Sequence, residues 1–335
     1  MKTKITGMGM YLPEQTYTSE EIEERAGFTR LGLKKGLVRM LTGCESRHYS
    51  APDEMCSDLA AKAGAAAIKD AGLEVSDIDA LIFGAITRDY SEPATANRAA
   101  HLLGMKDCFT FDIFNACNAF ISGIDLADSL IRTGKAKNVL VVCGEALSKW
   151  TKFDYTDKDE LLMRAPVALS VGDGGGAFVI SAADDDDPSG IVSTYFRSLP
   201  QFWEVGVIWG GGVIHKEESM LFVPGTVNKL TQAHADMTKA YFPPSIEKAG
   251  WKVEDIDCFL MTQIADWILK NIKKTVGGRD DQFISVIKNI GNCGACNIPL
   301  TACIARDMGK IKKGDKLCLM GGAAGASLGT INVVL

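Results

Sequence analysis

Apolar residues in this chain collect in two recurring patterns. One is the short unbroken run that a buried strand shows: Ala80-Leu-Ile-Phe83, Val139-Leu-Val-Val-Cys143, Cys258-Phe-Leu-Met261 and Leu317-Cys-Leu-Met320. The other has helical spacing. Phe120, Ile124, Ala127 and Ile131 recur at i, i+4, i+7 and i+11, one face of a helix. Helices alternating with buried strands predict sheets covered by helices on both faces.

The pattern repeats. Ile68-Lys-Asp-Ala-Gly-Leu-Glu-Val-Ser-Asp-Ile-Asp79 matches Ile246-Glu-Lys-Ala-Gly-Trp-Lys-Val-Glu-Asp-Ile-Asp257 in register, an offset of 178 residues. Each copy predicts a helix ending at glycine (Gly72, Gly250), a short polar loop and a buried strand. The same offset lays Asn138–Gly144 on Lys316–Gly322. Two related α/β halves are expected, 1–183 and 184–335, meeting near the acidic run Asp184–Asp187, itself read as a solvated turn.

Composition narrows the class. The 335 residues are 47% hydrophobic and 23% charged, with net charge −6, so no basic footprint for nucleic acid is present. No apolar run reaches the roughly 18–20 residues of a membrane span, and Met1–Gly7 has no apolar stretch behind it that would mark a secretory signal. A cytoplasmic protein is expected. Ten cysteines lie in apolar or Gly/Ala-rich contexts, which predicts free buried thiols. Cys293 and Cys296 form one close pair with no second pair or histidines nearby, so a metal site is not expected.

One cysteine stands apart. Cys108–Phe114 reads as a strand, Asn115–Ala119 as a tight turn of small residues, and the Phe120 helix follows. Cys117 thus falls at a helix start, where unpaired N–H groups and the macrodipole favour a thiolate and can hold an oxyanion. The alternative is a small buried core cysteine.

Phe111-Asp-Ile-Phe-Asn-Ala-Cys117-Asn-Ala-Phe120 resembles the nucleophile segment of ketoacyl-ACP synthase III, in the thiolase superfamily. Tyr11–Glu14, Thr42–Arg47, Thr87–Ala96 with His101–Gly104, Gly172–Ala177, Gly291–Asn292 with Ile298–Pro299, and Gly321–Gly329 resemble further segments in order. The resemblance implies a thiolase-like fold of five layers, αβαβα, and a homodimer in which 87–96 meets the partner. It implies acyl transfer from acyl-CoA or an acyl carrier protein to the cysteine, in fatty-acid or polyketide biosynthesis, with no permanent cofactor. By position, Cys117 is the acylated nucleophile and Asn292 a donor to the second thioester. The N–H groups of Cys117 and Gly325 are the implied oxyanion hole.

The sequence departs from the family in two places. The run that normally reads His-Gln-Ala-Asn is Thr262-Gln263-Ile-Ala265 here. Thr262 is a shorter donor that cannot serve as a base near neutral pH, while Gln263 could donate. Losing one oxyanion donor typically costs about 10²- to 10³-fold, which favours a variant that transfers acyl groups without decarboxylating a partner, or one that condenses by an altered route. Of the four histidines, His48 and His101 read as structural or surface residues. His234 sits in a helical segment, and His215 follows a flexible glycine run and could reach a cavity. The positions that commonly hold CoA adenine read Leu37 and Leu41, leaving Arg164 as a stacking residue and Lys34, Lys35 and Arg39 for phosphates. A second reading, a catalytically reduced partner subunit of a heterodimer, follows from the missing histidine. A dinucleotide site at Gly172–Gly176 lacks the necessary spacing.

Overall fold

The computed structural model describes residues 2–214 and 226–335; His215 lies outside them. In chain order come β1 (Lys2–Tyr11), β2 (Gln15–Thr18), α1 (Ser19–Arg25), α2 (Leu37–Thr42), β3 (Ser46–Tyr49), α3 (Cys56–Asp70), β4 (Ala80–Gly84) and α4 (Thr95–Leu102). Next are β5 (Phe109–Ile113), α5 (Ala119–Arg132), β6 (Asn138–Glu145), α6 (Lys158–Ala168), β7 (Gly174–Ala183) and β8 (Gly190–Ser198). The remainder are α7 (Thr226–Lys248), β9 (Cys258–Met261), α8 (Asp266–Val276), α9 (Ile287–Ile290), α10 (Asn297–Asp307), β10 (Lys316–Ala323) and β11 (Ser327–Val334).

Two sheets carry the fold. The first has strand order β1-β7-β6-β4-β5, the second β8-β11-β10-β9. In the first, β4 runs parallel to β5 and β6, while β7 runs antiparallel to β6 and β1. In the second, β9 is parallel to β10, and β11 is antiparallel to β10 and β8. The second sheet therefore repeats the first without β5. The starts of β4 and β9 are 178 residues apart, as are those of β6 and β10. Gly72 and Gly250, which end the matching helices, both take left-handed backbone, at φ 67° and 69°. A side chain there would meet its own carbonyl, which is why glycine stands at both.

The apolar runs are buried on both faces because helices cover both faces: every residue of β4 is buried. The glycine run of β7 shows how. A Cβ on Gly175 would strike the Leu59 backbone of α3, whereas Cβ atoms on Gly174 and Gly176 would meet Leu300 and Pro299 of α10. Alternate residues face alternate helix layers, and only glycine lets both helices come this near. α5 touches β4, β6, β7 and β11, and α10 touches β1, β7, β9 and β10, so these two helices form the central layer. α3 lies outside the first sheet, and α7 and α8 outside the second. The result is five layers, αβαβα. Phe120 of α5 meets Phe178 of β7 edge-to-face at 5.1 Å, anchoring the start of the central helix. The acidic run 185–186 is a turn between β7 and β8.

Candidate active site

The turn between β5 and α5 is built tightly. Ala116 holds left-handed backbone, φ 47°, costly for a residue with a Cβ. Cys117 follows, and Asn118 caps α5. Buried Asn118 donates from Nδ2 to Ser327 Oγ at 2.9 Å, tying the turn to the second sheet. On the other side, a Cβ at Gly84 would sit 2.7 Å from the Ala119 carbonyl, so the end of β4 abuts the helix start. The nucleophile turn is thus clamped between the two sheets.

Cys117 lines a cavity of about 460 Å³, within the usual range of ligand pockets, roughly 300–1,000 Å³. Asn292, His234, Ala324 and Gly325 line it too. Most other lining residues are apolar, among them Leu147, Trp150, Val171, Trp203, Leu230 and Ile264. Such walls suit an acyl chain and strengthen the few polar contacts inside. Among the described residues, no group of three or more His, Cys, Asp or Glu side chains could hold a metal.

Cys117 is reached from the cavity, yet protein atoms crowd it closely. Burial, followed by the charge of Glu145, pushes its thiol up to about 12, against a smaller opposing effect from its own backbone N–H. The expectation that the helix start alone favours a thiolate is therefore corrected: desolvation outweighs the N–H contribution. The thiol needs a proton acceptor when it reacts.

Asn292 is oriented by its neighbours. Its Oδ1 accepts from Gly294 N and from Asn297 Nδ2, both at 3.0 Å. Asn297 Nδ2 also donates to the Gln263 carbonyl at 2.9 Å. With Oδ1 committed to protein donors, the amide NH₂ is the end that can serve a ligand. Gly291 supplies the approach with φ 70°, where a Cβ would press on the Ser170 carbonyl at 2.6 Å.

Glu145, at the end of β6, is fully buried. Oε1 accepts from Ile86 N at 2.8 Å and Ala295 N at 3.2 Å; Oε2 accepts from Thr87 N at 3.0 Å and Thr87 Oγ1 at 2.7 Å. Burial still dominates and raises its carboxyl to about 7. It joins the loop after β4 to the loop before α10, and so fixes cavity-lining Ile86 and Gly294 together.

Other expected residues are placed differently. Gln263 is buried, with Nε2 donating to Ile284 O at 2.8 Å and Oε1 accepting from Val286 N at 2.9 Å. Its amide braces a loop and is not a cavity donor. Thr262 Oγ1 accepts from Gly322 N at 3.1 Å and donates to Gly322 O at 3.4 Å, so its hydroxyl is occupied. Gly325 lines the cavity, but its N–H donates to the Val205 carbonyl at 3.2 Å, which corrects its expected oxyanion role. Arg39 pairs with Glu20 at 3.3 Å, and Lys35 with Glu24 at 2.7 Å, on the surface by α1. Arg164 lies 3.5 Å from Glu160, one turn before cavity-lining Val167. Neither arginine lines the cavity. His48 bonds the Pro13 carbonyl, and His101 is exposed on α4.

Comparison with known proteins decides the family. Residues 111–200 match the family model for 3-oxoacyl-[acyl-carrier-protein] synthase III, and residues 246–334 match its C-terminal model. A beta-ketoacyl-[acyl-carrier-protein] synthase III of Clostridium perfringens is 30% identical over 337 residues, covering 99% of both chains. The chain belongs to the 3-oxoacyl-ACP synthase III family. The corresponding enzyme of Roseobacter denitrificans is 30% identical over 94% of this chain and 93% of that one. Among solved structures, the Aquifex aeolicus synthase III superposes with TM-score 0.86 at 26% identity, covering 99% and 100% of the two chains. Xanthomonas campestris OleA with bound lauric acid and lauroyl-CoA gives 0.88 at 26% identity, covering 100% and 99%. As a synthase III family member the protein is an acyltransferase of the acyl-transfer and condensation type that serves fatty-acid biosynthesis.

Two site residues escaped the sequence reading of this synthase III relative. Glu145 ends a strand that looked merely apolar, and nothing local marks its carboxylate as buried. His234 was placed on a helix with no role. Its signal was present: Leu230 lies one turn before it, and the buried Ala233 and Met237 flank it, putting the imidazole near the packed face.

Proposed function

We propose that this protein transfers an acyl group from a thioester onto Cys117 and then to a second substrate without decarboxylating that substrate. The observation that carries the reading is the shared cavity: a lone accessible thiol on a clamped turn, an asparagine amide with its oxygen already committed, and apolar walls. Acyl-CoA and acyl carrier protein are the donors, each bringing a pantetheine arm, and no permanent cofactor takes part. An OleA structure of the same fold holds lauroyl-CoA, which supports CoA thioesters as donors.

The Cys117 N–H and the amide of cavity-lining Ala324, rather than that of Gly325, are the oxyanion donors in this reading. Asn292 Nδ2 donates to the carbonyl of the second thioester. Without an imidazole at 262 the site holds one side-chain donor fewer for an enolate, which is why decarboxylation is left out. The halves 1–183 and 184–335 each bring one part: the first the thiol, the second the asparagine and the glycine loop. Edge strand β5, with Phe109 59% exposed and Phe114 48% exposed beside it, supports a homodimer built across that edge. A cytoplasmic location, expected from the sequence, belongs to the same proposal. No described helix is long and apolar enough to cross a membrane.

The test is to trap acyl-enzyme and offer malonyl and simple acyl thioesters as second substrates. The reading expects product without matching CO₂ release. Carbon dioxide released in step with a condensed malonyl product would overturn it.

A further inference from the structure

We infer that His234 is the proton-accepting imidazole of this site, supplied by α7 instead of position 262, and that it takes the Cys117 proton directly or through one water as a thioester is attacked. The inference deepens the acyl-transfer reading and rests on it.

Three observations converge. His234 lines the same cavity as Cys117 and Asn292, and also a smaller cavity of about 60 Å³ between α7 and α8. Its ring packs on Gly322, where a Cβ would lie 3.2 Å from Cε1 and Nδ1, so glycine at 322 makes room for it. Thr262, at the position where the family resemblance implies histidine, holds the N–H and carbonyl of this same Gly322. The imidazole thus reaches the neighbourhood of the vacated position from another element.

The ring is also preset chemically. A carbonyl can only accept, so the 2.9 Å contact between Nε2 and Ala323 O places the proton on Nε2. Nδ1 keeps its lone pair and has no partner among the described residues. Burial lowers the basicity of the ring and the Ala323 bond partly restores it, with no charged group contributing, so the imidazole is neutral at pH 7. The rival base, Glu145, has both oxygens filled by four protein donors, and Thr262 cannot accept a proton near neutral pH.

The step balances within the protein and its donor. The Cys117 S–H bond breaks and its proton goes to Nδ1. The sulfur pair forms a bond to the acyl carbon, the donor C–S bond breaks, and the leaving thiolate takes the proton back from the imidazolium. A free donor thiol and S-acyl-Cys117 result, with no change of oxidation state.

The experiment follows acylation of the full chain by a fatty acyl-CoA with rapid quench and intact mass. His234→Ala lowers the acylation rate by roughly 10²- to 10⁴-fold, and added imidazole restores part of it. His234→Gln, which keeps a donor toward Ala323 but no base, is slowed similarly while melting like the wild type. Acylation of the His234→Gln variant within threefold of wild type overturns the role of His234 and leaves the acyl-transfer reading standing. Absence of any adduct on the wild-type protein overturns that reading and the inference together.

Discussion

Glu145→Gln should remove a pH-dependent loss of stability from the fold. In the wild type the carboxyl is raised from 4.5 to about 7 by burial. Between these values the folded protein holds a proton that the unfolded chain has released, so stability is highest below pH 4.5 and falls as pH rises toward 7. A shift of about 2.5 units at 1.36 kcal/mol each gives a loss of about 3 kcal/mol by pH 8. Glutamine does not titrate. It has its own cost: its NH₂ faces the Thr87 N–H, leaving a buried donor without an acceptor, about 1–3 kcal/mol. The difference in unfolding free energy between variant and wild type should therefore change sharply with pH. The glutamine variant is the less stable protein at pH 5, and draws level with or overtakes the wild type by pH 8, where the wild type has lost about 3 kcal/mol. Urea unfolding of both proteins at the two pH values measures this. Asp173 and Asp112 are also raised by burial, but they are common to both proteins and drop out of the comparison. Parallel stability curves across pH 5–8 would refute the reasoning.

Removing the ionised carboxylate should also lower the Cys117 pKa, since Glu145 opposes the thiolate. Iodoacetamide at pH 8 should alkylate Cys117 faster in Glu145→Gln than in the wild type, and equal rates would count against this coupling. Asn297→Ala should leave acyl loading intact but weaken the second step by about tenfold, because Asn292 loses a donor that holds its orientation; steady-state turnover set beside single-turnover loading checks this. Gly321→Ala should destabilise the fold by about 1–3 kcal/mol, because the added methyl lands on Asn118 Oδ1; thermal unfolding and loading rate together report it.

Much of the fold was legible because its elements are locally determined. The apolar runs at 80–83 and 258–261 are strands, and the glycines at 72 and 250 stop their helices at the repeat offset. The five layers came from family resemblance, and the physical reason for them is visible only in three dimensions, where Gly174–Gly176 face two different helices in turn. At the site, Cys117 was legible from its strand–turn–helix setting. Its proton affinity was not, because desolvation by distant segments outweighs the local N–H effect. Gln263 and Gly325 read as donors from their positions, but long-range pairing with 284–286 and with Val205 takes up their hydrogen bonds. His234 is the reverse case. Its apolar neighbours on α7 mark it as near the packed face, but its setting at the cavity comes from Gly322 and from Ala323, the latter 89 residues further along the chain.

The account depends on one thiol forming a thioester. Intact mass measurement after incubation with a panel of acyl-CoA and acyl-carrier donors tests it most directly. A mass gain equal to one acyl group, mapped to Cys117 and lost in Cys117→Ala, is the predicted result. A wild-type protein that stays unmodified by every donor, or an adduct that survives Cys117→Ala, would contradict it.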